Sequence, residues 1–134
     1  ITKYGEPGLF MHGPTFMANP LACSVAIASI RLLLSMPWIE TIRNIEALLR
    51  AGLEPCWDCS GVVDVRALGA IGVVEMDRPV DRAKAMAFFR ERGAWIRPFG
   101  NIIYLMPSYC IGETDIELLT DAVTSAVRSG AWCA

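Results

Sequence analysis

The residues from Gly13 to Pro20 place a flexible glycine, a rigid proline and a hydroxyl group immediately ahead of an apolar helix. Asn19 predicts the helix start, because its side-chain oxygen can accept an unpaired amide of the first turn and Pro20 suits the first helical position. Gly13, Pro14 and Thr15 form a loop whose backbone can approach a ligand closely and whose hydroxyl can donate a hydrogen bond. This chemistry suits an anion. The alternative is a turn that leads into the helix and holds no ligand.

Arg97 is a second candidate, since it stands between Ile96 and Pro98 in an otherwise apolar segment. A guanidinium binds a carboxylate with two parallel hydrogen bonds, and such charge-assisted bonds are about twice as strong as neutral ones. Arg97 is therefore expected to bind either a carboxylate ligand or an internal partner such as Glu75. Tyr104, on the following predicted strand, either lines the same pocket or is a core aromatic residue.

His12 and the Cys56–Cys59 pair have side chains that can catalyse reactions or bind metals. His12 adjoins the candidate anion loop, but a structural role is favoured over acid-base chemistry. Cys56 and Cys59 have CxxC spacing, yet a zinc site needs a second pair of ligands and the chain has one histidine. A redox motif is expected where a strand meets a helix, whereas this pair follows a predicted helix. We interpret both cysteines as structural or incidental, and predict no metal site.

The composition indicates apolar surface that something must cover. Of the 134 residues, 54% are hydrophobic and 19% charged, with a mean hydropathy of +0.40. Globular domains average about 45–50% apolar and about 25% charged residues. Either the core is unusually large, or part of the surface packs against further chain or a second subunit.

Charge and hydropathy exclude two classes of partner. The net charge is −2 and no basic run occurs, which argues against a nucleic-acid surface. The longest apolar stretch, residues 21–34, is too short for a membrane span and contains Arg31. The first residues lack a signal-peptide pattern and the chain does not begin with Met, so we expect a piece of a longer cytoplasmic protein.

Hydrophobic periodicity predicts an α+β fold, in which a small sheet of about four strands is covered on one side by helices. Arg97 would lie near the tip of the last hairpin, whose turn is residues 98–101. Thr114 and Glu117 have the spacing of a capping box that opens the last helix. The predicted helices are 20–36, 37–52, 81–92 and 114–129, and the predicted strands are 62–68, 70–76, 95–97 and 102–106.

Three separated blocks of this sequence resemble one enzyme family. The first is His-Gly-Pro-Thr-Phe (12–16) with Asn-Pro-Leu-Ala-Cys (19–23), the second is residues 65–75, and the third is residues 95–107 with Ile-Arg-Pro-Phe-Gly and Tyr-Leu-Met-Pro. In this order they are similar to class III, fold type I pyridoxal-phosphate aminotransferases, and in particular to the biotin-pathway branch. The resemblance implies that residues 1–18 are the tail of the large cofactor domain and that 19–134 form the C-terminal small domain.

The resemblance also implies site roles. Pro14 and Thr15 would bind the phosphate of pyridoxal 5'-phosphate held mainly by the other subunit of a homodimer, and Gly13 would border the substrate. Arg97 would bind the carboxylate of the keto-acid substrate, with Tyr104 beside it. In the biotin-pathway branch the substrates are S-adenosylmethionine and 8-amino-7-oxononanoate.

This piece is expected to be inactive alone, with no catalytic residue of its own. The family's chemistry needs a lysine that binds the cofactor covalently, placed further upstream of the Gly-Pro-Thr loop than Lys3. Lys84 is predicted to lie on the outer face of a helix. Two alternatives stay open: another class III aminotransferase, of the acetylornithine or 4-aminobutyrate type, and a non-enzymatic ligand-binding module.

Overall fold

The computed structural model describes residues 16–133 of the chain. A short 3-10 helix, Glu54–Asp58, follows the second α-helix. The chain divides into two units, Ile1–Met36 and Pro37–Ala134. The proposed domain boundary between residues 18 and 19 stays a prediction. The elements are α1 (Pro20–Leu34), α2 (Trp38–Leu53), β1 (Val62–Leu68), β2 (Ile71–Met76), α3 (Arg82–Glu91), β3 (Ile102–Leu105) and α4 (Glu113–Ser129).

Helix α1 belongs to the first unit. As predicted, Asn19 caps it: the side-chain oxygen of Asn19 accepts the amide of Ala22 at 3.1 Å, and Pro20 takes the first position. The helix ends at Leu34, and Ser35 caps its carboxyl end. None of its side chains is buried.

The sheet of the second unit is antiparallel, with the order β1-β2-β3. Strands β1 and β2 form a hairpin in which Leu68 pairs with Ile71, and Gly69 at φ 56° provides the left-handed turn. Strand β2 also pairs with β3, where Gly72 lies opposite Leu105 and Val73 lies opposite Tyr104.

Helices α2 and α4 form the core with the sheet. A side chain at Gly72 would lie 2.8 Å from Leu53, and one at Gly52 would lie 2.5 Å from the hydroxyl of Thr120. The missing side chains therefore allow α2 to approach both β2 and α4 closely. The largest fully buried side chains are Phe89, Leu49, Leu53, Met76, Ile103, Ile116, Val74, Val123 and Cys56.

Side chains of α2 also hold the β1–β2 hairpin. Glu46 accepts the amide of Gly69 at 2.6 Å, and Arg50 donates to the carbonyl oxygen of Ala67 at 3.3 Å. Glu46 and Arg50 are themselves paired at 3.0 Å. The pKa of Glu46 is lowered, first by the Gly69 amide and then by Arg50.

The structure corrects the predicted strand count. Within residues 16–133 the sheet has three strands, because residues 95–97 join no ladder and the hairpin contact is limited to a bridge between Phe99 and Ile102. Pro98 supplies the physical reason: its ring fixes φ near about −65°, far from the about −140° of an antiparallel strand.

The predicted capping box is also wrong. Gly112 is the N-cap of α4 and no side chain caps the helix, since it begins one residue before Thr114. Glu113 and Asp115 place negative charge in the first turn, which favours the positive end of the helix dipole. At the other end Gly130, at φ 69°, terminates α4 close to the predicted position.

Within residues 16–133 no single helix is long and apolar enough to cross a membrane. Pro20–Leu34 and Trp38–Asp58 reach the required length and hydropathy only when the two are taken together.

Candidate functional site

Arg97 and Tyr104 lie on the two arms of the chain that meet at the turn before β3. Phe99 and Ile102 exchange both backbone hydrogen bonds, at 2.9 and 3.0 Å, and Gly100 at φ 58° makes the turn between them. Arg97 lies two residues before this bridge and Tyr104 two residues after it. Both residues line one cavity of about 290 Å³.

The walls of this cavity, which we call the Arg97 pocket, are apolar apart from Arg97 and Tyr104. Ile96 and Leu105 are buried beneath it, and Leu119 of α4 contributes to its lining. Trp95 and Met106 line it as well, with relative exposures of 70% and 68%. The pocket therefore combines one cationic group with hydrocarbon walls, which suits a carboxylate attached to an aliphatic chain.

The internal partner considered for Arg97 is wrong. Glu75 binds Arg66 at 2.7 Å and lies 3.4 Å from the side-chain amide of Asn101. Among residues 16–133, Arg97 forms no ion pair within 4.0 Å and is exposed. Its guanidinium is thus available to an external carboxylate. Tyr104 is half-buried.

Sequence reasoning missed the ion network on β1 and β2. Arg66 binds Glu75 and also Asp64, and these two hydrogen bonds, with Glu75 first, raise the pKa of Arg66. The sequence did contain a signal for this network, because Asp64 and Arg66 lie on one predicted strand and Glu75 lies on the next. The strand register that makes them neighbours could not be read from the sequence.

The loop residues His12, Gly13, Pro14 and Thr15 lie outside the described residues. Three residues after Thr15, Ala18 has φ 56°, the left-handed region that L-residues seldom adopt. Such a conformation costs about 1–3 kcal/mol and often occurs at ligand-binding turns. Alanine gives no sequence signal for this backbone.

Cys56 supports the structural interpretation of the CxxC pair. Cys56 is fully buried in the core, and its Sγ lies 3.5 Å from the hydroxyl of Thr124 on α4. Burial raises the pKa of the Cys56 thiol, which keeps it protonated. Cys59 is half-buried, and its Sγ lies 3.6 Å from the carbonyl oxygen of Pro55. No group of three potential metal ligands occurs in the described part of the chain.

Of the two lysines, the structure describes Lys84 only. Lys84 is exposed on α3, as predicted, and its Nζ donates to the carbonyl oxygen of Cys133 at 2.7 Å. Lys3 lies outside the described range. The expectation that neither is a cofactor lysine stays a prediction.

Comparisons with known proteins agree that the chain is similar to aminotransferases. A family model described as aminotransferase class III matches residues 1–127. The adenosylmethionine-8-amino-7-oxononanoate aminotransferase of Mycobacterium leprae is 49% identical over 119 residues, covering 89% of this chain and 27% of the relative. The enzyme of the same name from Saccharomyces cerevisiae is 40% identical over 128 residues, covering 90% and 27%. The chain thus spans less than a third of these relatives.

Solved structures agree on the fold. The crystal structure of adenosylmethionine-8-amino-7-oxononanoate aminotransferase from Methanocaldococcus jannaschii is similar with a TM-score of 0.73 at 29% identity, covering 96% of this chain and 32% of that one. An (S)-enantioselective omega-transaminase from Thermomicrobium roseum gives 0.78 at 26% identity, covering 94% and 30%.

Proposed function

Because the chain belongs to the class III aminotransferase family, we propose that it is the C-terminal part of a pyridoxal-phosphate-dependent enzyme of biotin biosynthesis. The intact enzyme would transfer the amino group of S-adenosylmethionine to 8-amino-7-oxononanoate and give 7,8-diaminononanoate. The names of the relatives at 40–49% identity support this branch over the acetylornithine and 4-aminobutyrate types.

The observation that carries the proposal is the Arg97 pocket. Arg97 has no ion-pair partner among residues 16–133, and hydrocarbon walls surround it. 8-Amino-7-oxononanoate is a carboxylate at the end of an aliphatic chain, so its carboxylate would bind Arg97 and its chain would run along the apolar wall. The phenol of Tyr104, in the same lining, would offer a hydrogen bond beside it.

In this role the chain orients the substrate. Two parallel hydrogen bonds from Arg97 fix the direction of a bound carboxylate as well as its position. Trp95 and Met106 would exclude water from the adjoining methylene groups. The far end of the substrate, which carries the ketone, would thereby be presented away from Arg97, where the amino transfer takes place.

The loop before α1 would contribute to the cofactor site. The described end of this loop leads into the amino end of α1, whose helix dipole favours an anion. Thr15 would donate its hydroxyl to a phosphate, Pro14 would hold the loop rigid, and Gly13 would border the substrate. When bound, pyridoxal phosphate supplies the electron sink for amino transfer. Its lysine and most of its binding residues would lie elsewhere in a homodimer.

Replacing Arg97 by Ala in the intact enzyme tests the proposal. The loss should lower kcat/KM for 8-amino-7-oxononanoate. The decrease should correspond to about 2–4 kcal/mol in activation free energy, the scale of a lost close charge pair. Binding of pyridoxal phosphate should not change. Arg90→Ala is the matched control, because Arg90 is also exposed and lies outside the pocket. Unchanged kinetics for the keto acid in Arg97→Ala would contradict the role of Arg97.

The branch is tested separately. The unmodified intact enzyme should accept S-adenosylmethionine as amino donor with 8-amino-7-oxononanoate as acceptor. Faster turnover of acetylornithine or 4-aminobutyrate would assign it to the alternative branch.

A further inference from the structure

A second cavity, separate from the Arg97 pocket, brings two thiols and two guanidinium groups together. It has a volume of about 480 Å³ and lies between the end of the 3-10 helix and the residues after α4. Cys59 and Cys133 both line it, and both are half-buried. We call it the thiol pocket. The proposed aminotransferase function makes no use of it.

The thiols of this pocket are free and weakly bonded. The Sγ of Cys59 lies 3.6 Å from the carbonyl oxygen of Pro55. The Sγ of Cys133 lies 3.4 Å from the carbonyl oxygen of Gly130. These are contacts of S–H donors to backbone oxygens. By contrast, Cys56 is fully buried against Thr124 and does not line the cavity.

Two guanidinium groups and one carboxylate lie in the lining of the thiol pocket. Arg78 and Arg128 line the pocket, and Asp58 is the one carboxylate that residues 16–133 contribute to its lining. Arg128 forms no ion pair with another residue from 16 to 133. Arg78 binds Asp77 through Nε and Nη2, at 2.9 and 2.8 Å, and its guanidinium lies 5.9 Å from the ring centre of Trp132.

Cys133 is near enough to Arg78 for their charges to interact. The pKa of Arg78 is raised, mainly by its hydrogen bonds to Asp77 and in smaller part by the charge of Cys133. The thiolate is the nucleophilic form of cysteine. The guanidinium groups of the pocket attract the carboxylates of an approaching reagent.

We propose that the thiol pocket is a modification site, at which Cys133 forms a mixed disulfide with an anionic disulfide of the glutathione type. The Cys133 thiolate attacks one sulfur of the reagent, a new S–S bond forms and the old one breaks. The other half leaves as a thiolate and takes a proton from water. Cys133 is oxidised and the leaving half is reduced. Arg128 and Arg78 bind the carboxylates of the attached half.

The test is competitive labelling of the intact protein, with adducts located by mass spectrometry. Glutathione disulfide is the anionic reagent and cystamine the cationic one, while the exposed thiols Cys23 and Cys110 serve as internal references. Relative to Cys110, Cys133 should favour glutathione disulfide over cystamine by about fivefold, corresponding to about 1 kcal/mol for an exposed charge interaction. Arg128→Gln and Arg78→Gln should each reduce this preference.

Arg90→Gln is the matched control for the arginine variants. Arg90, like Arg128, lies in the last turn of a helix and is exposed, but it is outside the thiol pocket. The control should keep the full preference. A preference that survives both Arg78→Gln and Arg128→Gln, an adduct on Cys59 in place of Cys133, or equal labelling of Cys133 and Cys110 by both reagents would overturn the proposal.

Discussion

At the scale of single residues, two glycines with left-handed backbone allow the effect of backbone strain to be distinguished from that of steric overlap. Gly61 has φ 85°, and a side chain there would meet the ring of Trp132 at 2.7 Å. Gly93 has φ 74°, but a side chain there would have no neighbour within 4 Å. The two positions share the backbone penalty and differ in packing.

Gly61→Ala should therefore destabilise the protein by about 2–4 kcal/mol, from backbone strain and overpacking together. Gly93→Ala should cost about 1 kcal/mol, from strain alone. Urea unfolding of both variants measures the difference. Equal losses would mean that Trp132 moves aside without cost.

Cys56 should make stability depend on alkaline pH. Burial raises its pKa above the ordinary value of 9.0, so the folded state keeps a proton that the unfolded state releases. This contribution is complete below pH 9.0 and is lost as the pH rises through the folded-state pKa. The difference in unfolding free energy between the wild type and Cys56→Ala should be smaller at pH 10 than at pH 7. Cys110→Ala, at an exposed position, is the control, and a difference that does not vary with pH would contradict the assignment.

At the scale of elements, the contact between α2 and the β1–β2 hairpin depends on an ionised carboxylate. The bonds of Glu46 to the Gly69 amide and to Arg50 lower its pKa, so their stabilisation is present above 4.5 and is lost as the pH falls through the lowered value. Glu46→Gln should be less stable than the wild type at pH 7, and the difference should shrink below pH 4.5.

Glu40→Gln is the control for that comparison, because Glu40 lies on the same helix and is exposed. Chemical unfolding at several pH values gives the required free energies. A loss of unfolding free energy in Glu46→Gln that stays constant from pH 7 to pH 3 would show that the carboxylate charge does not hold the hairpin.

Most elements could be predicted from the sequence because their signals are local. Asn19 and Pro20 mark the start of α1, and Gly130 marks the end of α4, through chemistry within a few residues. The absence of a strand at residues 95–97 could not be recognised, since their alternating pattern is that of a strand and only Pro98 argues against one. The burial pattern still holds, with Ala94, Ile96 and Pro98 buried.

The candidate site was predictable in part for the same reason. The turn after Arg97 follows from Gly100, at φ 58°, and it brings the segments of Arg97 and Tyr104 to one cavity. Contacts between distant segments were not predictable: the Arg66–Glu75 pair depends on strand register, and Cys56 meets Thr124 across 68 residues.

At the scale of the whole molecule, the core belongs to one unit. Every buried apolar residue of the core cluster lies between Ile45 and Trp132, whereas α1 buries none of its side chains. The second unit, Pro37–Ala134, therefore contains the complete core that residues 16–133 provide.

Residues 37–134 produced alone should fold cooperatively. Their urea unfolding should remain a single transition, with a midpoint close to that of residues 1–134, because residues 16–36, the described part of the deletion, contribute no buried side chain to the core. A broad, non-cooperative transition would show that the first unit is needed for folding.

The way α2 holds the hairpin also bears on aggregation. Strand β1 is an edge of the sheet, and edge strands can recruit strands from other molecules through their unpaired amide and carbonyl groups. Arg50 already occupies the carbonyl oxygen of Ala67, and Glu46 occupies the amide of Gly69 at the adjoining turn. Two side chains of a neighbouring helix thus block the end of this edge against the strand addition that begins amyloid-like assembly.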